Sequence, residues 1–517
     1  MNCCGLSLRE KVTQTVVLRH DNDAVAADQV GAVFFGGEII TEAADVGLDK
    51  AREILNRYID NAEIPILITS DFENGCGSMV KGLTPLPYLS GLGAANDAQL
   101  AYDYGKATAL EARSIGANWS FSPVCDLLTN SRNPIVNVRA MTDDTDLATR
   151  LLPEVVRGMQ ENGLAACAKH FPGDGVDYRD QHMVPTCNSL SMEEWYQQHG
   201  KVFARMIEAG VLSIMPGHIS LPAYQKERHP CGLPLPATLS HELTDNLLKR
   251  EMGFQGVVVT DALGMGGFLG WYESKQRSEI ESFKAGCDMM LWPSEQYVDN
   301  MIQAVENGYI SMERLDDAVE RILNMKQRLG LFQKSNAPRP LTEQEQIYVS
   351  SVQTKTAQAS VTLIRDRAQL FPLSPAKTGT ILLVPVCQYE PAYRQAEHLR
   401  DVLEAQGFSV TYRPEGATPE EQEEADLVLY ALFSRGHRPI GFLDYLGQEA
   451  VKIRRAQMVP ADKLVVVSFG SPYFGNQYFQ RAGTYVNAYS MLESSVDAFV
   501  RAAVGQIEFG TFSPFAL

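Results

Sequence analysis

The sequence predicts an α/β protein in two parts, a (β/α)8 TIM-type barrel followed by a smaller α/β sandwich. Three observations predict it. At 517 residues the chain is too long for one ordinary core. Through its first part, short and almost continuously apolar runs are each followed by a loop rich in Gly, Pro or Asp and then by a helical pattern, as buried parallel strands require. The unit recurs seven or eight times over about 300 residues, the length and repeat count of a closed barrel.

The runs fall at VTQTVVL (12–18), VGAVFF (30–35), PILITSD (65–71), NWSFSPV (118–124), AACAKHF (165–171), VLSIMPG (211–217), GVVVTDA (256–262) and CDMMLWP (287–293). Amphipathic segments such as LAYDYGKATALEARSIG, LATRLLPEVVRGMQENG and HELTDNLLKREMG lie between them, the last two ending in a glycine suited to a helix C-terminus. Helical patterns from Tyr297 to Gln333 close this part, so the barrel is placed at 1–335. A polar, Pro-containing stretch opens a linker placed at 336–355, and the second domain at 356–517. Its strands are expected at GTILLVPV (379–386), FSVTYR (408–413), DLVLYALF (426–433), KLVVVSFG (463–470) and TYVNAYS (484–490). The first of these leads into CQYEPAY rather than GxGxxG, so no dinucleotide cradle and no cofactor is expected.

Composition narrows the function. With 45% apolar and 21% charged residues, the chain reads as a soluble globular protein. A net charge of −18 argues against nucleic acid, which is bound by basic patches. No apolar run reaches the roughly 20 residues that span a bilayer, so no membrane partner is expected. The N-terminus MNCCGLSLREKVTQTVVLRHD lacks a basic segment followed by an apolar core, and the nine cysteines form no CxxC or zinc spacing. A cytoplasmic location with reduced thiols follows as an expectation. Without HxH or HExxH, a metal site is not expected either.

In a parallel barrel, reactive groups stand where strands end and loops begin. Those positions carry Asp71 and Glu73, Asp126, Asn137 and Arg139, Lys169 and His170, then Asp174, Asp177, Asp180 and His182, followed by His218 and Asp261. Carboxylates accept from hydroxyl groups and Lys and Arg donate to them, so this rim suits a small oligosaccharide or glycoside. Cleaving a glycoside with retention needs a carboxylate beneath the anomeric carbon, which Asp261 supplies, and a proton donor beside the leaving oxygen. A histidine side chain, with an intrinsic pKa of about 6.5, can give or take a proton at neutral pH, and Asp180, two residues from His182, can fix the tautomer of that ring.

REKVTQ, KHFPGDG with a downstream Asp-x-His, PATLS, GFQGVVVTDALGM and AGCDMML, in that order, resemble glycoside hydrolase family 3 and its β-N-acetylglucosaminidase branch. The resemblance implies a retaining exo-enzyme in which Asp261 forms a covalent glycosyl-enzyme. It implies that His182 is the acid/base, that Asp180 is its partner, and that Lys169, His170, Arg139 and Asp71 hold sugar hydroxyls. Asp174 and His218 are added as substrate-binding candidates. The chain departs from the family pattern in two places. Asp174 replaces the second His of KHFPGHG, and DFENGCG replaces D-x-E-G-G-R. Three alternatives stay open: phosphorolysis, because a neutral imidazole does not repel phosphate; a β-glucosidase taking a glutamate such as Glu449 from the second domain; and a non-catalytic sugar-binding protein.

Overall fold

The computed structural model describes residues 3–19, 30–35, 47–333, 338–434 and 444–517. Among these described residues the first region carries ten strands: β1 (Val16–Arg19), β2 (Ala32–Phe34), β3 (Leu67–Ser70), β4 (Trp119–Ser120), β5 (Cys167–Phe171), β6 (Thr186–Cys187), β7 (Ser213–Pro216), β8 (Ile219–Ser220), β9 (Val257–Val258) and β10 (Met290–Leu291). All ladders between them are parallel. One curled sheet has the order β10-β1-β2-β3-β4 and a second β5-β7-β9, while β6 and β8 form a separate short pair. In register, Val16 faces Met290, Val17 faces Ala32, Ala32 faces Leu67 and Thr69 faces Trp119. In the second sheet Cys167 faces Ser213 and Ser213 faces Val257. Single parallel bridges, Trp119 to Ala165 and Val259 to Met289, link the two sheets at both edges.

These strands are apolar on both faces because both are covered. Val17, Ala32, Leu67, Trp119, Cys167, Met215, Val257 and Met289 pack into one cluster enclosed by the strands. Their neighbours, including Val33, Ile68, Ala168, Ile214 and Val258, pack outward against the helices. The run 12–18 is a strand only in its second half. Ser7 and Glu10 form a capping box that starts a helix at Leu8–Gln14, and β1 begins after it. The Gly163 and Gly253 that end two predicted helices take positive φ, 81° and 73°.

The second region holds a six-stranded sheet of β11 (Thr362–Asp366), β12 (Thr380–Cys387), β13 (Ser409–Tyr412), β14 (Leu427–Phe433), β15 (Leu464–Ser468) and β16 (Thr484–Asn487). Its order is β11-β16-β15-β14-β12-β13, with only β11 antiparallel. Alternate side chains divide between two cores. Leu427, Leu429, Ala431 and Phe433 enter one, and Val428, Tyr430 and Leu432 the other. Much of the expected linker is helical. Thr342 and Glu345 form a capping box that starts the helix Glu343–Ser360, which packs on Ala98–Ser114 of the first region and Glu493–Ala503 of the second.

The two regions also meet beside the loop after β4. Tyr473, Tyr489 and Phe515 pack on Leu128, Ile135, Val136 and Ala140. The Tyr473 hydroxyl donates to the Leu128 carbonyl (3.3 Å), and the Pro514 carbonyl accepts from the Thr142 hydroxyl (2.5 Å).

Candidate active site

The predicted residues gather at the C-terminal ends of the strands. β5 runs straight into Lys169 and His170, and the Lys169–His170 and Phe171–Pro172 peptides are cis. Lys169 is buried, and its Nζ donates to Asp71 Oδ1 at 2.9 Å and lies 2.7 Å from Glu73 Oε1. Glu73 also takes a two-pronged bond from Arg139, whose Nε and one terminal nitrogen each donate at 2.8 Å. The other terminal nitrogen of Arg139 donates to the Ile135 carbonyl. Burial would raise the Glu73 carboxyl, but Arg139 and Lys169 outweigh it and hold the group well below its usual range. Lys169 is in turn held protonated by Asp71 and Glu73 against its own burial.

His170 is oriented by Asp126. Its Nδ1 lies 2.8 Å from Asp126 Oδ2, and its backbone N–H donates to Oδ1 at 3.1 Å. The opposite ring nitrogen faces Asp261 Oδ2 at 3.9 Å. Asp261 stands three residues beyond the end of β9, and its Oδ1 accepts from the Ala262 N–H at 2.7 Å. Burial acts to protonate Asp261, yet His170, His218, His182 and Lys169 around it keep the carboxyl below its ordinary value. An ionised carboxylate fixed at a strand end is what a nucleophile requires.

Asp180 and His182 form a dyad. Asp180 is buried, and its Oδ1 accepts from the His182 backbone N–H (2.9 Å) and meets the His182 Nδ1 at 2.8 Å. His182 Nε2 has no protein partner among the described residues, and 29% of that side chain is exposed, so one ring nitrogen is open to a ligand. The segment is tied to the loop after Asp261, since Gly266 N–H donates to the His182 carbonyl at 2.8 Å.

Asp174 and His218 lie beneath the rim, not on it. Asp174 Oδ1 accepts from Asn133 Nδ2 and Gly175 N–H, and Oδ2 from Gln181 Nε2. Burial, followed by the charge of Asp126, pushes the Asp174 carboxyl up to about 7. His218 is fully buried, with Nδ1 on the Thr238 hydroxyl (2.9 Å) and Nε2 on the Ala262 carbonyl (3.1 Å). A carbonyl only accepts, which assigns the proton to Nε2. Burial lowers the His218 ring to about 4, so it stays neutral and props the turn next to Asp261. Asp177 is taken up by Arg179 and the Cys187 N–H.

Glu73 and Asp126 were legible only as rim residues, without a role; the signal was their strand-end position beside Lys169 and His170. Glu449, the second-region candidate acid, is occupied by Lys452, the Tyr393 hydroxyl and the Cys387 N–H. Among the described residues, no three His, Cys, Asp or Glu side chains are grouped to hold a metal ion.

Comparison with known proteins decides the family, because residues 7–325 match the glycosyl hydrolase family 3 N-terminal domain. The chain belongs to glycosyl hydrolase family 3. It is thereby an enzyme of the glycoside hydrolase class acting on carbohydrate. A β-N-acetylglucosaminidase/β-glucosidase of Cellulomonas fimi is 32% identical over 483 residues, 88% of this chain and 84% of that protein. Among solved structures, a β-glucoside phosphorylase matches at 28% identity and a TM-score of 0.88 over 99% of this chain and 94% of its own. A family 3 β-N-acetylglucosaminidase from Paenibacillus sp. str. FPU-7 matches at 27% identity and 0.82, covering 99% of each. Among the described residues of this family 3 chain, no helix is long and apolar enough to cross a membrane.

Proposed function

We propose that this family 3 enzyme is a retaining exo-glycosidase that releases terminal β-linked N-acetylglucosamine. In this reading residues 1–335 form a closed (β/α)8 barrel, consistent with strand neighbours that run in parallel from β1 round to β10. Residues 356–517 form an α/β sandwich domain. Asp261 attacks the anomeric carbon as His182 Nε2 gives its proton to the departing oxygen. His182, now neutral at Nε2, then takes a proton from water as the water displaces Asp261. Asp180 stabilises the imidazolium through the Nδ1 bond. Asp71, Lys169 and His170 hold ring hydroxyls, and Arg139 acts mainly by aligning Glu73. None of the nine cysteines is joined in a disulfide, which suits a reducing cytoplasm.

The observation that carries this reading is the 2.8 Å Asp180–His182 contact, which leaves Nε2 open. Release of p-nitrophenol from the β-N-acetylglucosaminide should exceed release from the β-glucoside, and a 5-fluoro N-acetylglucosaminyl fluoride should label Asp261 in a peptide map. Labelling elsewhere, or a clear glucoside preference, overturns the respective part.

Phosphorolysis is the second reading, favoured by the imidazole acid/base and by the β-glucoside phosphorylase that superposes over nearly the whole chain. Acceleration by inorganic phosphate with a sugar 1-phosphate as product would establish it. An unchanged rate and free sugar would leave hydrolysis.

A further inference from the structure

Gln181, the residue between Asp180 and His182, is fully buried although it sits on a loop whose outer side is bare. Tyr178 and Met183 on the same segment are 63% and 57% exposed, so nothing presses the loop down from outside. The hold comes from beneath, through Gln181. Its Nε2 donates to Asp174 Oδ2 at 3.2 Å, and its Oε1 accepts from the His218 N–H at 2.8 Å. Its backbone carbonyl accepts from the Gly267 N–H at 3.1 Å. Those partners belong to the loops after β5, β7 and β9. Asp174 is itself fixed by Asn133, by the Gly175 N–H and, through its own N–H, by Asp126, the residue that orients His170.

We propose that Gln181 is a positioning residue, a latch that joins the dyad-bearing segment to the loops carrying Asp174, His218 and Asp261 and so presents His182 to the leaving group in a preformed geometry. The inference rests on the reading of His182 as the acid/base. It also gives a physical role to Asp174, whose Oδ2 is the acceptor that the Gln181 amide needs in a buried site. Without Gln181, the buried His218 N–H and Asp174 Oδ2 each lose a partner, and residues 181 and 182 keep only their backbone bonds from Gly267 and Gly266 to other loops.

A latch that works through His182 must matter in proportion to how much the leaving group needs a proton. The test compares kcat/KM, which reports glycosylation, for a phenyl and a 2,4-dinitrophenyl glycoside of whichever sugar the parent prefers. Gln181→Ala is expected to lose about 100-fold on the phenyl glycoside, the cost of roughly 1 Å of misplacement, and at most about fivefold on the dinitrophenyl glycoside. Gln181→Glu and Asp174→Asn each break the donor–acceptor pair and should show the same selective loss. Their combination exchanges donor and acceptor and should recover most of it. Equal losses on both substrates, or no loss, would refute the latch. Should Gln181→Ala not fold, failure of the exchanged pair to outperform Gln181→Glu refutes it instead. His182→Ala is run alongside. If it does not separate the two substrates, the acid/base reading falls and the latch with it; if it does and the Gln181 variants do not, only the latch falls.

Discussion

Gly266→Ala should impair acid/base function from a position that touches no substrate. A Cβ at Gly266 would stand 2.2 Å from the Met183 carbonyl oxygen and 2.6 Å from its carbon, with the His182 oxygen at 3.1 Å. All three are backbone atoms, so no side-chain rotation relieves the clash. Restoring van der Waals separation requires about 1 Å of movement in the 182–183 backbone. A catalytic group misplaced by that distance costs about 100-fold, or roughly 2.7 kcal/mol of transition-state stabilisation. The strain should also cost about 1–3 kcal/mol of stability. Gly264 lies in the same loop, and a Cβ there meets nothing within 4 Å, so Gly264→Ala is the control. Steady-state kinetics on the p-nitrophenyl glycoside, thermal melting and a crystal structure of the Gly266 variant make the assay. A loss below about threefold with residues 181–184 unmoved, or an equal loss in both variants, would refute the reasoning.

Three further outcomes follow from the same contacts. Asp126→Asn must set an amide nitrogen against the His170 Nδ1 or against the two N–H groups that Asp126 now accepts, a loss of about 1.5–3 kcal/mol for charge-assisted bonds; KM should rise at least tenfold, and an unchanged KM would separate His170 from sugar binding. Asp174, with its folded carboxyl raised to about 7, binds a proton in the folded state between about pH 4 and 7 that the unfolded chain has released, so parent stability falls as pH rises through that window. Asp174→Asn removes this slope, and the melting temperature of the variant should gain on the parent between pH 5 and 7.5; a constant difference would contradict it. Tyr473→Ala removes one of the three aromatic side chains that the second region packs on the loop holding Arg139, and kcat/KM should fall about tenfold together with the melting temperature. A lowered melting temperature with full activity would show that the contact supports folding alone.

The strand runs were legible because parallel strands covered on both faces leave an unbroken apolar signature, as in VVV at 257–259 or the CAKHF of β5. The N-terminal strand was blurred because VTQ at 12–14 has a strand-like composition, while the capping box at Ser7 and Glu10 makes those residues the end of a helix. The helix Glu343–Ser360 was hidden by its polar surface and a preceding proline, although Thr342-x-x-Glu345 marked its start. Within the site, Asp180, His182 and Asp261 could be singled out by residue type and strand-end position. What spacing could not show was which polar groups turn inward. Asp174 and His218 sit in motifs as prominent as those of Lys169 and His170, but their orientation depends on Asn133, Gln181 and Thr238 from other loops.

The three histidines around Asp261 show how orientation settles role. His218 is bracketed by a hydroxyl and a carbonyl; no carboxylate bonds to its ring, its full burial outweighs the nearby charge of Asp261, and it remains a neutral prop. His170 and His182 each have a carboxylate at 2.8 Å from Nδ1, so each can carry charge at the moment of proton transfer. They differ in what the other nitrogen faces. His170 is buried, and its Nε2 points toward Asp261 Oδ2, which suits a group that holds a hydroxyl and the nucleophile in one arrangement. His182 alone combines a carboxylate partner with an exposed nitrogen, and a leaving group must depart through an open side. That combination, more than the Asp-x-His spacing, supports His182 as the proton carrier. It also removes the need for a carboxylic acid from the second region, where Glu449 is already held by Lys452, Tyr393 and Cys387.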